Sequence, residues 1–139
     1  MLLVDSTVWI DWLNGADTDA VRFIQGREGQ EELALTQMIY LEVLQGIASV
    51  RQFAATQRVL GSQVLLLPGH PLETFEAAAH LYRRARTMGL TIRKSSDCLI
   101  AAISLEQQAL LVHNDRDFFA LGQAEPGLRI YPAAAASPH

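Results

Sequence analysis

The feature that most constrains this chain is a series of short apolar runs, each followed by a longer stretch with helical signals. Leu2-Leu3-Val4, Leu33-Ala34-Leu35, Val64-Leu65-Leu66-Leu67 and Leu110-Leu111-Val112 show no alternation of apolar and polar residues. Each therefore reads as a strand buried on both faces. Such strands, separated by helices, build a parallel sheet covered on both sides. Ser6-Thr7 is expected to cap a helix over 8–13 that stops at Asn14-Gly15, and a second helix covers 19–27. Thr36 is expected to cap a helix from Gln37 to Ser49, followed by another from Val50 to Leu60. Pro71 to Met88 reads as a long helix, with proline in its first turn and Gly89 just past its end. Ser95 or Ser96 should cap a helix running to Gln107. A short helix is expected near Phe118 and an edge strand over 128–131. The expected architecture is α/β, a three-layer α/β/α domain over residues 1–132 with a central, mainly parallel sheet. The small-residue tail 133–139 is expected to stand apart from it.

Composition narrows the function classes. None of the apolar runs approaches the roughly 18 residues of a membrane span. Asp5 and Asp11 interrupt the N-terminal apolar stretch, which argues against a signal peptide. The expectation is a cytoplasmic protein with no membrane partner. Cys98 is the single cysteine, so an internal disulfide and a cysteine-based zinc site are excluded. The net charge of −4 excludes a general basic coat for nucleic acid. Yet five of the 11 bases, Arg83, Arg84, Arg86, Arg93 and Lys94, lie within one stretch. They read either as a local face for an anionic partner such as RNA or as a solvated helix surface.

In open parallel sheets, ligands gather beyond the carboxyl ends of the strands. Asp5 directly follows Leu2-Leu3-Val4, and Asp115 follows Leu110-Leu111-Val112 within three residues. Alone, each is ordinarily a helix cap or turn residue. Glu42 lies within a segment that is apolar nearly all round, Gln37 to Ser49, and Gly46 one turn on leaves space beside it. Its ordinary reading is a paired structural acid with Arg93 as partner. Asp97 opens the apolar helix Ser95 to Gln107, where a first-turn acid also serves the helix dipole. The four together are less ordinary. Carboxylates gathered in one place repel unless a cation neutralises them, and an all-oxygen set suits Mg²⁺ or Mn²⁺. Trp9 and Trp12, three apart, read as core or interface packing. Cys98 reads as inert core.

The segments Leu3-Val4-Asp5-Ser6-Thr7-Val8-Trp9-Ile10-Asp11, Tyr40-Leu41-Glu42-Val43-Leu44-Gln45-Gly46, Arg93 to Ala102 and His113-Asn114-Asp115-Arg116-Asp117-Phe118 resemble, in order, the motifs of PIN-domain ribonucleases. More narrowly they resemble the VapC-type toxins of prokaryotic toxin–antitoxin pairs. The resemblance implies an Mg²⁺- or Mn²⁺-dependent endoribonuclease that cleaves transfer or ribosomal RNA and so inhibits translation. It implies a metal-binding catalytic quartet of Asp5, Glu42, Asp97 and Asp115, with Thr7 in support and Asp117 as a secondary acid. It also implies a homodimer and a cognate antitoxin that sets an arginine-bearing segment against the acids. His113 stands where the family more often has threonine. The alternative reading is a non-catalytic RNA- or protein-binding module of the same fold. A receiver-type phosphoacceptor fits poorly, because the only lysine, Lys94, precedes a helix. A haloacid-type phosphatase fits poorly because Thr7 stands where a second acid is needed.

Overall fold

The computed structural model describes residues 1–134, so residues 135–139 of the expected tail lie outside the described residues. Five strands form one sheet: β1 (Leu2–Val4), β2 (Leu33–Thr36), β3 (Val64–Leu66), β4 (Leu110–Val112) and β5 (Ile130–Tyr131). Their spatial order is β3-β2-β1-β4-β5 and every pairing is parallel, with Leu2 registered against both Leu33 and Leu110. The helices are α1 (Ser6–Leu13), α2 (Asp19–Gln25), α3 (Gln37–Gln45), α4 (Val50–Gly61), α5 (Glu73–Thr87), α6 (Ser95–Gln107) and α7 (Arg116–Ala124). The architecture is the three-layer α/β/α domain expected from the sequence.

The strand order explains the layers. From β1 through β2 to β3 the chain steps one way across the sheet, then crosses back to β4 on the other side of β1. Right-handed crossovers therefore put α1 to α4 on one face and α5 to α7 on the other. α5 packs against α6 and α7, and α1 against α2 and α3, as this requires. The direction of winding reverses at β1, so the crevice beyond its carboxyl end is the natural binding position. β1 and the end of β4 are buried throughout, with Leu3, Val4, Leu111 and Val112 at 0% exposure.

Some expected boundaries shift for local reasons. α1 begins at Ser6, and of the two expected caps it is Asp5, not Ser6-Thr7, that takes the position. α3 ends at Gln45 on Gly46, and Ser49 starts the next helix by accepting from the Gln52 N–H at 3.3 Å. α5 begins at Glu73, with Pro71 in the preceding turn. Neither Ser95 nor Ser96 caps α6, since Lys94 occupies the cap position without a side-chain bond. α3 is not buried on all sides, because Leu41 is 53% exposed.

The central strand supplies a direct stability test. Leu3→Ala is expected to lower the free energy of unfolding by about 2–5 kcal/mol, since the cavity opens in a closed layer. Val50→Ala, at an 86% exposed position, should change it by less than about 0.5 kcal/mol. Urea denaturation followed by circular dichroism measures both.

Candidate active site

Two of the acids are placed by helix capping. The Asp5 N–H bonds Val112 O at 2.9 Å, which ties the end of β1 to β4. Asp5 Oδ2 accepts from the Thr7 hydroxyl at 2.8 Å and from the Thr7 N–H at 3.3 Å. Its other oxygen, Oδ1, is buried with no hydrogen-bond partner. Asp115 does the same beyond β4, its Oδ1 accepting from the Asp117 N–H at 3.0 Å and capping α7. The cap reading and the site reading are therefore both correct. Satisfying the helix N-terminus with one oxygen fixes the side chain's direction and leaves the other oxygen free.

Asp97 and Glu42 arrive from helices. Asp97 lies in the first turn of α6, is 2% exposed, and has Oδ2 buried without a partner. Glu42 lies in the middle of α3 with its side chain 14% exposed. Its Oε2 sits 3.5 Å from Lys94 Nζ, while Oε1 is buried and unpartnered. The expected partner Arg93 turns the other way. Its guanidinium Nε meets both Asp117 oxygens at 3.1 and 3.3 Å, and Nη2 meets Asp115 Oδ1 at 2.8 Å. The Arg93 N–H donates to Asp117 Oδ2 at 3.1 Å. The two successive bases thus diverge, Arg93 to the acids at the start of α7 and Lys94 to Glu42.

The electrostatics record the convergence of these groups. Burial, and then the charges of Asp5, Asp115 and Glu42, push the Asp97 carboxyl up to about 7, with Lys94 opposing. Burial first and Asp5 second raise Glu42 above the ordinary carboxylate range. Burial raises Asp5, against the bonds from Thr7. One carboxylate oxygen from each of Asp97, Asp115 and Asp117 lies within 4.8 Å of the others, an arrangement close enough to hold a cation. Both Asp117 oxygens are, however, bonded to Arg93. The oxygens without partners belong to Asp5, Glu42 and Asp97. Asp5, Glu42 and Asp97 each carry an orphaned buried oxygen and feel one another's charge, so a hard divalent cation among these acids would compensate for their desolvation.

Residues not singled out as site members complete the frame. His113 is fully buried, and its Nδ1 accepts from the Asp115 N–H at 3.2 Å. Nε2 therefore carries the ring proton and donates to Pro132 O at 3.0 Å. Burial lowers its pKa, which favours this neutral ring. Asn114 donates its N–H to Thr7 Oγ1 at 3.3 Å and its side-chain amide to Asp11 at 3.2 Å. The other bases lie on α5. Arg84 pairs with Glu125, Arg86 lies over the Tyr82 ring, and Arg83 borders the groove beside Ser95 and Ser96. Trp9 is core, stacked on Trp12 at 5.7 Å between ring centroids. Cys98 is buried, and burial pushes its thiol up to about 11.

Residues 2–123 match the PIN domain family. The chain belongs to the PIN-domain family. Among curated members it is 30% identical over 120 residues to VapC ribonuclease Mb1587 of Mycobacterium bovis, covering 85% of this chain and 89% of that one. Ribonuclease VapC11 of Mycobacterium tuberculosis is similar to the same extent. This PIN chain is therefore of the VapC type. Its fold is shared with VapBC2 of Rickettsia felis bound to a promoter DNA fragment, at TM-score 0.70, 16% identity and coverage of 93% and 96%. It is shared also with a toxin–antitoxin complex from Klebsiella pneumoniae, at TM-score 0.70, 17% identity and coverage of 98% and 100%.

The raised Asp97 pKa sets a pH dependence for the PIN domain freed of metal by EDTA. The folded carboxyl binds its proton up to about 7, whereas the unfolded one releases it near 3.8. Its contribution is thus fully present below the unfolded value and is lost as pH rises between the two. The expected melting temperature falls from pH 4 to pH 7, and Asp97→Asn flattens that fall. Calorimetric scans across this range measure it, and equal slopes for both proteins would remove Asp97 as the cause.

Proposed function

We propose that this chain is an Mg²⁺- or Mn²⁺-dependent endoribonuclease, the toxin of a toxin–antitoxin pair. The observation that carries this reading is the set of orphaned oxygens on Asp5, Glu42 and Asp97 at the point where the sheet reverses its winding. Asp5, Glu42, Asp97 and Asp115 would hold the cation. A divalent ion bound there would neutralise these acids, orient a phosphodiester and activate water for in-line attack.

The chain's own groups have separable tasks. Thr7 fixes the Asp5 rotamer and, through the Asn114 N–H, the loop that carries Asp115. Asp117 and Arg93 hold that loop against the segment leading into α6. Lys94, with its side chain 51% exposed, is placed to meet the RNA backbone at the rim of the acids. Arg93 and Arg83 extend the positive margin, while the pairing of Arg84 and the stacking of Arg86 leave these two less free. The proposed targets are transfer RNA or ribosomal RNA, and the proposed protein partner is an antitoxin that covers the acids with a basic segment. The names of the VapC ribonuclease relatives support the activity, and the acidic crevice supports the charge of both partners.

Asp5→Asn and Asp97→Asn are each expected to lower RNA cleavage by at least about 100-fold while leaving the folded state intact. Cleavage assays on cellular RNA with mapping of new 5′ ends, paired with circular dichroism, measure this. Full activity in either variant overturns the assignment. RNA binding that persists in EDTA without any cleavage by the unaltered chain would favour the non-catalytic module. Saturating Mn²⁺ should stabilise the unaltered protein by about 2–3 kcal/mol at one hundred times its Kd, and Asp5→Asn should remove most of that gain.

A further inference from the structure

One buried titratable side chain takes no part in holding the cation or the RNA. His113 directly follows β4 and is fully buried. Its backbone N–H donates to Tyr131 O at 3.0 Å, which continues the ladder between β4 and β5 by one step. Its ring packs against Phe118 and Phe119 of α7, at 5.4 and 4.8 Å between ring centroids. Both ring nitrogens are engaged. Nε2 donates to Pro132 O at 3.0 Å, just past β5, and Nδ1 accepts from the Asp115 N–H at 3.2 Å. A neutral imidazole has one donor and one acceptor, so the bond to the Pro132 carbonyl selects the tautomer in which Nδ1 accepts. The ring thus converts a fixed point at the edge of the sheet into a fixed acceptor for the backbone of Asp115.

The carboxylate of Asp115 is held independently. Its Oδ1 accepts from the Asp117 N–H at 3.0 Å and from Arg93 Nη2 at 2.8 Å. With its N–H on His113 and Oδ1 on two donors, Asp115 keeps one direction for its other oxygen. We propose that His113 is a positioning residue, which through Nδ1 holds Asp115 in the orientation that makes it a ligand alongside Asp5, Glu42 and Asp97. The assignment rests on the metal-dependent reading of these acids. It concerns a residue at which this chain departs from the family motif, since threonine is more usual there. Groups that orient the carboxylates around a metal ordinarily control its affinity by about 10- to 100-fold.

Asparagine and leucine share one branched shape and separate an acceptor from a space-filler. Asparagine carries an oxygen where histidine has Nδ1 and accepts the N–H two residues on, whereas leucine carries no acceptor. His113→Asn should bind Mn²⁺ within about threefold of the unaltered Kd, and His113→Leu at least about tenfold more weakly. Isothermal titration calorimetry reads both, at a temperature where circular dichroism shows each variant folded. If His113 only fills space, leucine matches or exceeds asparagine, and that order overturns the proposal. Two further measurements need no metal. In the unaltered protein, the imidazole nitrogen shifts in NMR should report the tautomer protonated at Nε2. Protonation at Nδ1 instead overturns the proposal, even where neither variant folds. The Asp115 amide should exchange with solvent at least about tenfold faster in His113→Leu than in His113→Asn, and equal rates overturn the proposal as well. An unaltered chain that binds no Mn²⁺ removes the metal-dependent reading and this proposal with it. Equal Mn²⁺ affinities in the two variants, with binding by the unaltered chain intact, remove this proposal alone.

Discussion

Mutual repulsion among buried carboxylates is the constraint around which this molecule is arranged. Asp5, Glu42, Asp97 and Asp115 come from four separate stretches of chain, and burial together with the neighbouring negative charges raises the proton affinity of Asp5, Glu42 and Asp97. A fold gains nothing in stability from such an arrangement. It persists because the parallel sheet, the apolar α6 and the hydrogen bonds around each acid determine the positions more strongly than the acids oppose them. Leu3, Val4, Leu111 and Val112 are sealed, so the strand ends cannot splay to relieve the charge. The price in stability is the source of affinity for whatever cation enters.

The supporting bonds are economical. Asp5 and Asp115 terminate a strand, cap a helix and present a free oxygen with one side chain each. Thr7 links the two loops by binding Asp5 and accepting from Asn114. Arg93 crosses from the segment before α6 to the start of α7 and joins Asp117 to Asp115. His113 closes the same loop from below as a neutral ring bonded at both nitrogens. The VapC-type site is thus a framework of short local bonds around a few long-range ones.

Much of this was legible in the sequence. Unalternating apolar triplets identified the buried strands, and acids at their carboxyl ends located the crevice. The order of the motifs led to the PIN family. Other features were not legible, for identifiable reasons. The partner of Glu42 turned on which of two adjacent bases faced α3, and spacing cannot decide between Arg93 and Lys94. That Asp117 would be held by Arg93 depends on a contact spanning 24 residues of chain. The apolar character of α3 was read as burial, yet Leu41 faces outward. Periodicity does not distinguish a core face from one that awaits a partner. The start of α1 offered two cap candidates, Asp5 and Ser6-Thr7, and composition alone does not choose between them; the aspartate serves as the cap.

The ion pair between Glu42 and Lys94 has a practical corollary. Lys94 is the only lysine, so the single side-chain amine of this sequence stands beside Glu42. Any acyl label, biotin tag or sensor-chip linkage made through a lysine side chain will therefore report on the acidic crevice.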